Sequence, residues 1–230
     1  MRKVQYEEML PHEFEDALRE FPVAYVPVGS LEWHGLHLPM GTDTIKAHGI
    51  LIKVAQKYGG VVVPGTYWGH MEHWKVGCHP GLSADLVDRL YTEIFEGLIT
   101  VGFKVIIGVT GHDVNEQVSS LQKAVDAVST DKAKGFAMME FSLNEGDSSV
   151  GGDHAAKWET SYIMAVRPDL VDIDRIKDEI LDKETWREGA GIYGFDPRVH
   201  AAKEVGEKAI NLIVDKIGQK AKELLVSIQE

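Results

Sequence analysis

One cysteine, no apolar run near the ~20 residues of a membrane span, and a shortage of basic side chains set the first limits on this 230-residue chain. A lone Cys78 excludes an intrachain disulfide framework. Twenty-four Lys and Arg against 36 Asp and Glu give a formal charge of −12. That field repels nucleic acid and anionic membrane alike, so neither is expected as a partner. The opening residues, Met1 to Glu8, lack the apolar core of a signal peptide, and a cytoplasmic location is expected. No stretch rich in Pro, Ser or Gln marks a linker, no charge block exceeds a few residues and no repeat recurs. With 44% hydrophobic residues the chain can bury a substantial core, and a single domain over residues 1–230 is the simplest reading.

What is present is an alternation of short apolar runs and amphipathic stretches. Pro11 to Glu20 reads as an opening helix, and Val23 to Val28 as a buried strand. Thr44 to Tyr58 has helical spacing and ends at Gly59-Gly60, after which Val61 to Pro64 reads as a second strand. Ser83 can cap a helix running to about residue 100–102. Lys104 to Val109 and Gly135 to Phe141 read as further strands, with a helix from Glu116 to Val128 between them. A helix after Asp153 and a long closing helix, Val199 to Val226, complete the pattern. This predicts an α/β fold, a three-layer sandwich whose mostly parallel sheet carries helices on both faces. Ligands of such sheets bind beyond the carboxyl ends of the strands, so the loops after the first three strands should converge.

The loop after the first strand carries Glu32, His34, His37 and Asp43. Glu32 and His34 are two apart, so in extended chain they project to one side, while Pro39 and Gly41 let the chain turn back and return Asp43. Carboxylate with imidazole suits zinc, manganese or iron(II). Blander roles stay open: Asp43 as a helix N-cap, His37 as a polar loop residue.

His112 follows the third apolar strand, where Gly111 permits a tight turn, and is a candidate further ligand, with Asn115 as loop support. In the segment from Gly151 to Ser161, the five-residue step from His154 to Glu159 turns ~140° around a helix, too far for one face. His154 is therefore expected on the loop before a helix, and Glu159 on that helix, facing the site or solvent. His70, Glu72, His73, Cys78 and His79 lack helical metal spacing, and His73 is a candidate for the substrate lining. Trp158 and the stretch Thr185 to Pro197, which includes Tyr193, could close over a flat substrate or form an ordinary surface connection.

Taken together, Pro27 to Gly35 with His37-Leu38-Pro39 and Thr42-Asp43, Gly111-His112 with Asn115, and His154-Ala155 with Glu159-Thr160-Ser161 resemble the creatininase family. A late segment agrees, Gly191-Ile192-Tyr193-Gly194 with Pro197, Ala201, Lys203 and Gly206. The resemblance implies an amidohydrolase with two divalent ions, acting on a small-molecule amide such as a cyclic amide or formamide. It also implies a homo-oligomer, a hexamer. Carried onto this chain, Glu32, Asp43 and His112 hold one ion, Asp43 bridges to a second held by His34, and His154 moves the proton of the reacting amide. Divalent ions lower the pKa of a bound water from 15.7 to around 7, which supplies a hydroxide nucleophile.

The chain departs from the family pattern after His112, where a second-ion glutamate is replaced by Val114, next to Asp113. Glu159 is the first candidate replacement and Asp113 the second; Asp113, Trp158, Tyr193 and His73 are the expected substrate contacts. Three other readings stand beside amide hydrolysis, one of them metal-assisted sugar isomerisation by the same Glu, Asp and His set. Deformylation of a phosphorylated formamido-pyrimidine of flavin or deazaflavin biosynthesis would need cations, for which Lys46, Lys75 and Arg198 are candidates. The third is metal or ligand binding without turnover.

Overall fold

The computed structural model of the chain describes residues 2–70, 80–144, 146–177, 179–180, 183–187 and 189–229. Four parallel strands, β1 (Val23–Val28), β2 (Val61–Val62), β3 (Val105–Thr110) and β4 (Lys134–Met139), form a sheet in the order β2-β1-β3-β4. The helices are α1 (Pro11–Glu20), α2 (Thr42–Tyr58), α3 (Ala84–Val101), α4 (Asn115–Val128), α5 (Lys157–Val166), α6 (Pro197–His200) and α7 (Lys203–Gln229).

Strand periodicity sorts the core into two sides. Val23 and Tyr25 of β1 pack with Val105, Ile107 and Val109 of β3 under α2 and α7, together with Tyr162 of α5. Ala24, Val26 and Val28 face the other way, with Ile106, into α1, α3 and α4. Every residue of β1 and β3 is buried, as a parallel sheet covered on both faces requires. The α/β sandwich expected from the sequence is the fold observed.

Boundaries differ where packing overrides pattern. Helix α2 begins two residues earlier than its apolar spacing suggests, with Gly41 as N-cap, so Asp43 lies inside the first turn and is not the cap. Ser83 does precede α3, but its hydroxyl makes no capping bond. The closing helix is split at Ala201-Ala202, where Ala201 is extended and the Ala202 N–H donates to Ser161 Oγ at 3.1 Å; the turn before it, α6, is capped by Asp196, which accepts from the Arg198 backbone N–H. The glycine-rich stretch before it contains an antiparallel hairpin of β5 (Thr185–Arg187) and β6 (Ile192–Gly194). Among the described residues, no helix is long and apolar enough to cross a membrane.

The register sets up the site. Val28 of β1 is paired with Thr110 of β3, so both chains leave the sheet side by side. Gly111 N–H donates to the Val28 carbonyl at 3.0 Å, and Glu140 N–H to that of Thr110 at 3.2 Å. Into this row of strand exits the first turn of α2 is pressed very closely. A Cβ on Gly111 would lie 2.1 Å from the Asp43 carbonyl oxygen, and one on Gly29 2.5 Å from the Thr44 nitrogen. The glycine after β3 is thus required by close approach of the backbone that carries Asp43.

Candidate metal centre

Glu32 and His34, Asp43 from α2, His112 from the β3 exit and Glu159 from α5 meet in one buried cluster, each 6% exposed or less. His34 Nε2 lies 3.0 Å from Asp43 Oδ1, 3.2 Å from Glu159 Oε2 and 3.6 Å from Glu32 Oε1. His112 Nδ1 lies 3.1 Å from Asp43 Oδ2 and 3.5 Å from Glu32 Oε2. His154, half-buried, brings Nδ1 to 3.2 Å from Glu32 Oε1. His154 sits on the loop before α5 and Glu159 on the helix, as their spacing required.

The same device aims all three imidazoles. His34 Nδ1 is 3.1 Å from the Glu32 carbonyl oxygen, His112 Nε2 is 3.0 Å from that of His70, and His154 Nε2 is 2.9 Å from that of Trp33. A carbonyl only accepts, so each of these nitrogens is the N–H, and in a neutral ring the other nitrogen turns its lone pair toward the carboxylates. Lone pair against carboxylate is repulsive unless a cation lies between. Consistent with this, His34 Nε2 and Asp43 Oδ1 are buried with no hydrogen-bond partner among the described residues. Donors bound to one tetrahedral zinc at ~2.0–2.1 Å stand about 3.3 Å apart, which matches the separations here. The donor atoms fall into groups within 4.8 Å: Glu32, Asp43 and His112; His34, Asp43 and Glu159; and Glu32, His34 and His154. The first two groups share Asp43 and fit a pair of divalent ions.

The electrostatics record the same demand for positive charge among these carboxylates. Burial pushes His112 toward the neutral form, but Asp43 and Glu32 raise it to about 10. His34 is likewise raised against burial by Glu159 and Asp43. Burial and the neighbouring Asp43 push Glu32 up, yet His112 and His154 bring it down to about 2. Asp43 and Glu159 are also held below the usual carboxylate range against burial, Asp43 chiefly by His34 and Glu159 chiefly by Lys46.

Supporting contacts explain how the cluster is held. Asp43 Oδ2 accepts from Ser30 N–H at 3.2 Å. Asp153 accepts from the backbone N–H groups of Trp158 and Glu159 at 2.8 and 3.1 Å, fixing the start of α5. Ala155 adopts φ +50°, the left-handed region, and its N–H donates to Glu159 Oε2 at 2.7 Å. The β6 hairpin grips His154 through paired backbone bonds with Tyr193 of 2.9 and 2.7 Å. His37 is buried and bonded to Thr160 Oγ1 at 3.0 Å, a structural tie between the first loop and α5.

The remaining expected residues distribute around this centre. Asp113 is exposed immediately beyond His112 and belongs to none of the donor groups, whereas Glu159 does. Tyr193 is 46% exposed beside His154. Trp158 stacks on Tyr162 and packs against Gly151, with the Lys157 ammonium 4.1 Å from its ring centroid, so its contacts lie with the core. His73 and Lys75 lie outside the described residues. Two features escaped the sequence reading: Asp153 as the anchor of α5, and a buried Lys46, which meets Glu140 at 2.7 Å and also pairs with Glu159. The spacing of Lys46, one helical turn after Asp43, was the available signal.

A sequence profile described as creatininase, creatinine amidohydrolase, matches residues 7–220. The chain belongs to the creatininase family of amidohydrolases. It is 28% identical over 178 residues to the creatinine amidohydrolase of Pseudomonas putida, covering 68% of each protein. It is also 28% identical over 162 residues to the mycofactocin precursor peptide peptidase of Mycolicibacterium smegmatis, covering 67% of this chain and 62% of that one. A solved structure of a manganese creatininase shares the fold with a TM-score of 0.82 at 21% identity, covering 96% of this chain and 98% of that one.

Proposed function

We propose that this chain hydrolyses a C–N bond of a small amide at a centre of two divalent ions. Glu32, Asp43 and His112 would hold one ion, and His34, Asp43 and Glu159 the other. The observation that carries this reading is the pair of donor groups that share Asp43, with buried, unpartnered donor atoms facing one another. Divalent ions there would supply Lewis acidity toward the amide carbonyl and a water acidic enough to attack it near neutral pH.

The chain's own residues do the rest. Glu32, Asp43 and Glu159 are kept ionised inside the protein and fix the ions from three separate elements. His154 Nε2 is anchored on the Trp33 carbonyl, so Nδ1, at the edge of the cluster, is the nitrogen that exchanges a proton. It would protonate the leaving nitrogen as the C–N bond breaks. Asp113 and Tyr193 stand at the exposed side, where substrate would contact them. Glu159, rather than Asp113, takes the role left vacant by Val114.

Two of the relatives, those described above, are named as an amidohydrolase and a peptidase, which agrees with an amide bond as the target. Deformylation of a phosphorylated nucleotide has less support, because two of its candidate cations are already engaged. Lys46 is buried between Glu140 and Glu159, and Arg198 is bound to Asp196.

The test is a mass-resolved screen of cyclic amides, including creatinine, short peptides and formamido-pyrimidines, before and after chelation. Gain of one water, lost with the metal and restored by manganese or zinc, is the expected result. Release of formate would move the assignment to deformylation, and no mass change in any compound class would move it to binding without turnover.

A further inference from the structure

We infer that Lys46 is a positioning residue that makes Glu159 a one-oxygen ligand of the second ion, with Glu140 as the counter-charge that lets it do so. The inference rests on the two-ion reading above. Lys46 is 2% exposed and Glu140 is fully buried, and neither belongs to a donor group that could hold metal. A buried ammonium and a buried carboxylate are costly, and an apolar pair would fill the same space without that cost. Their presence calls for a role, and the geometry assigns one.

Lys46 lies one helical turn after Asp43, and its stem runs so close to the β3 exit that a Cβ on Gly111 would come within 2.9 Å of its Cε. That contact fixes the path of the side chain. Its ammonium is 2.7 Å from Glu140 Oε1 and pairs with Glu159 Oε1. Glu159 is thereby divided. Oε1 is spent on Lys46, while Oε2 accepts the Ala155 N–H and points at His34 Nε2, 3.2 Å away.

Glu140 completes the charge logic. Among the described residues its one ion pair is with Lys46, at 2.7 Å, so that contact is what it answers to. Were Lys46 paired with Glu159 alone, the ammonium would neutralise the very ligand the second ion needs. Shared between two carboxylates, it orients Glu159 and leaves the trio with a net negative charge. Among the described residues Glu32 and His112 make no ion pair with this trio, and Asp43 meets it only as the donor shared between the two groups, so its loss should fall chiefly on the second ion.

The experiment is calorimetric titration of the chelator-stripped full chain with manganese(II), comparing wild type, Lys46→Met/Glu140→Gln and Glu140→Gln. Wild type should bind in two steps. In the double variant the second step should weaken ~10–100-fold while the first stays in place. Glu140→Gln, which changes shape least and keeps a folded reference if the double variant fails, should weaken the second step in the same direction and by less. A second step that is unchanged or tighter in both variants would overturn the assignment. Equal loss at both steps would overturn it too, since that marks a purely structural role. Failure of the wild type to take up manganese would defeat the two-ion reading itself, and this inference with it.

Discussion

Two buried charged groups of this fold follow opposite rules. Asp196, fully buried, accepts from the Arg198 backbone N–H and Nε at 3.0 Å each and from Nη2 at 2.7 Å. The guanidinium donates onward to the carbonyls of Ile176 at 3.3 Å and Glu179 at 3.0 Å. One charge meets its opposite, and the planar fork of arginine matches the carboxylate. At the other group, carboxylates from the β1 loop, α2 and α5 face imidazole nitrogens whose N–H groups are directed away, and among the described residues His34 Nε2 and Asp43 Oδ1 find no hydrogen bond. The first arrangement stabilises a loop and asks for nothing more; the second is completed only by a cation. Burial of charge alone therefore does not mark a site. Failure of the charges to satisfy one another does.

The largest effect should come from Asp43→Asn. Because both donor groups use Asp43, metal content should fall to near zero by elemental analysis, and turnover should fall to background. Retention of one ion would show that Asp43 is not shared.

Next is His154→Ala, which should lower turnover ~10²–10⁴-fold with metal content unchanged. Loss of an ion instead would make His154 a ligand through the group it forms with Glu32 and His34. Asp196→Asn sharpens the contrast from the other side. Removing the Asp196 charge from beside Arg198 should destabilise the fold in chemical denaturation, by at most about 3–5 kcal/mol, while metal content stays the same. Metal loss in that variant would erase the distinction between the two groups.

The smallest effect concerns His37, whose pKa burial and then His34 depress from 6.5 to about 4. The unfolded chain takes up this proton first, so stability falls as pH drops from 6.5 toward 4 and is fully present above that window. Replacing His37 by Gln should flatten that part of the curve. An identical slope in the variant would mean that His37 does not carry it.

Much of this was legible because it is local. Continuous apolar runs gave β1 and β3 nearly to the residue, and two-residue spacing put Glu32 and His34 together. Strand exits at the same sheet edge brought in His112, and the five-residue step correctly separated loop His154 from helical Glu159. The rest depends on approach between distant segments. The start of α2 shifted because Gly29 and Gly111 admit its first turn, which no periodicity in α2 reports. Lys46 read as an accessible cation because nothing local indicates that Glu140, ninety-four residues later, will be buried against it. The closing helix is split where Ala202 N–H turns to the hydroxyl of Ser161, forty-one residues earlier, a long-range bond that no helical pattern reports.

The most direct test of the central claim is elemental analysis of the purified full chain beside His34→Gln and His112→Gln. Two positions joined at Asp43 predict about two ions per wild-type chain and about one in each variant, with different survivors. One ion in the wild type, abolished by either substitution, would contradict the account and leave a single centre.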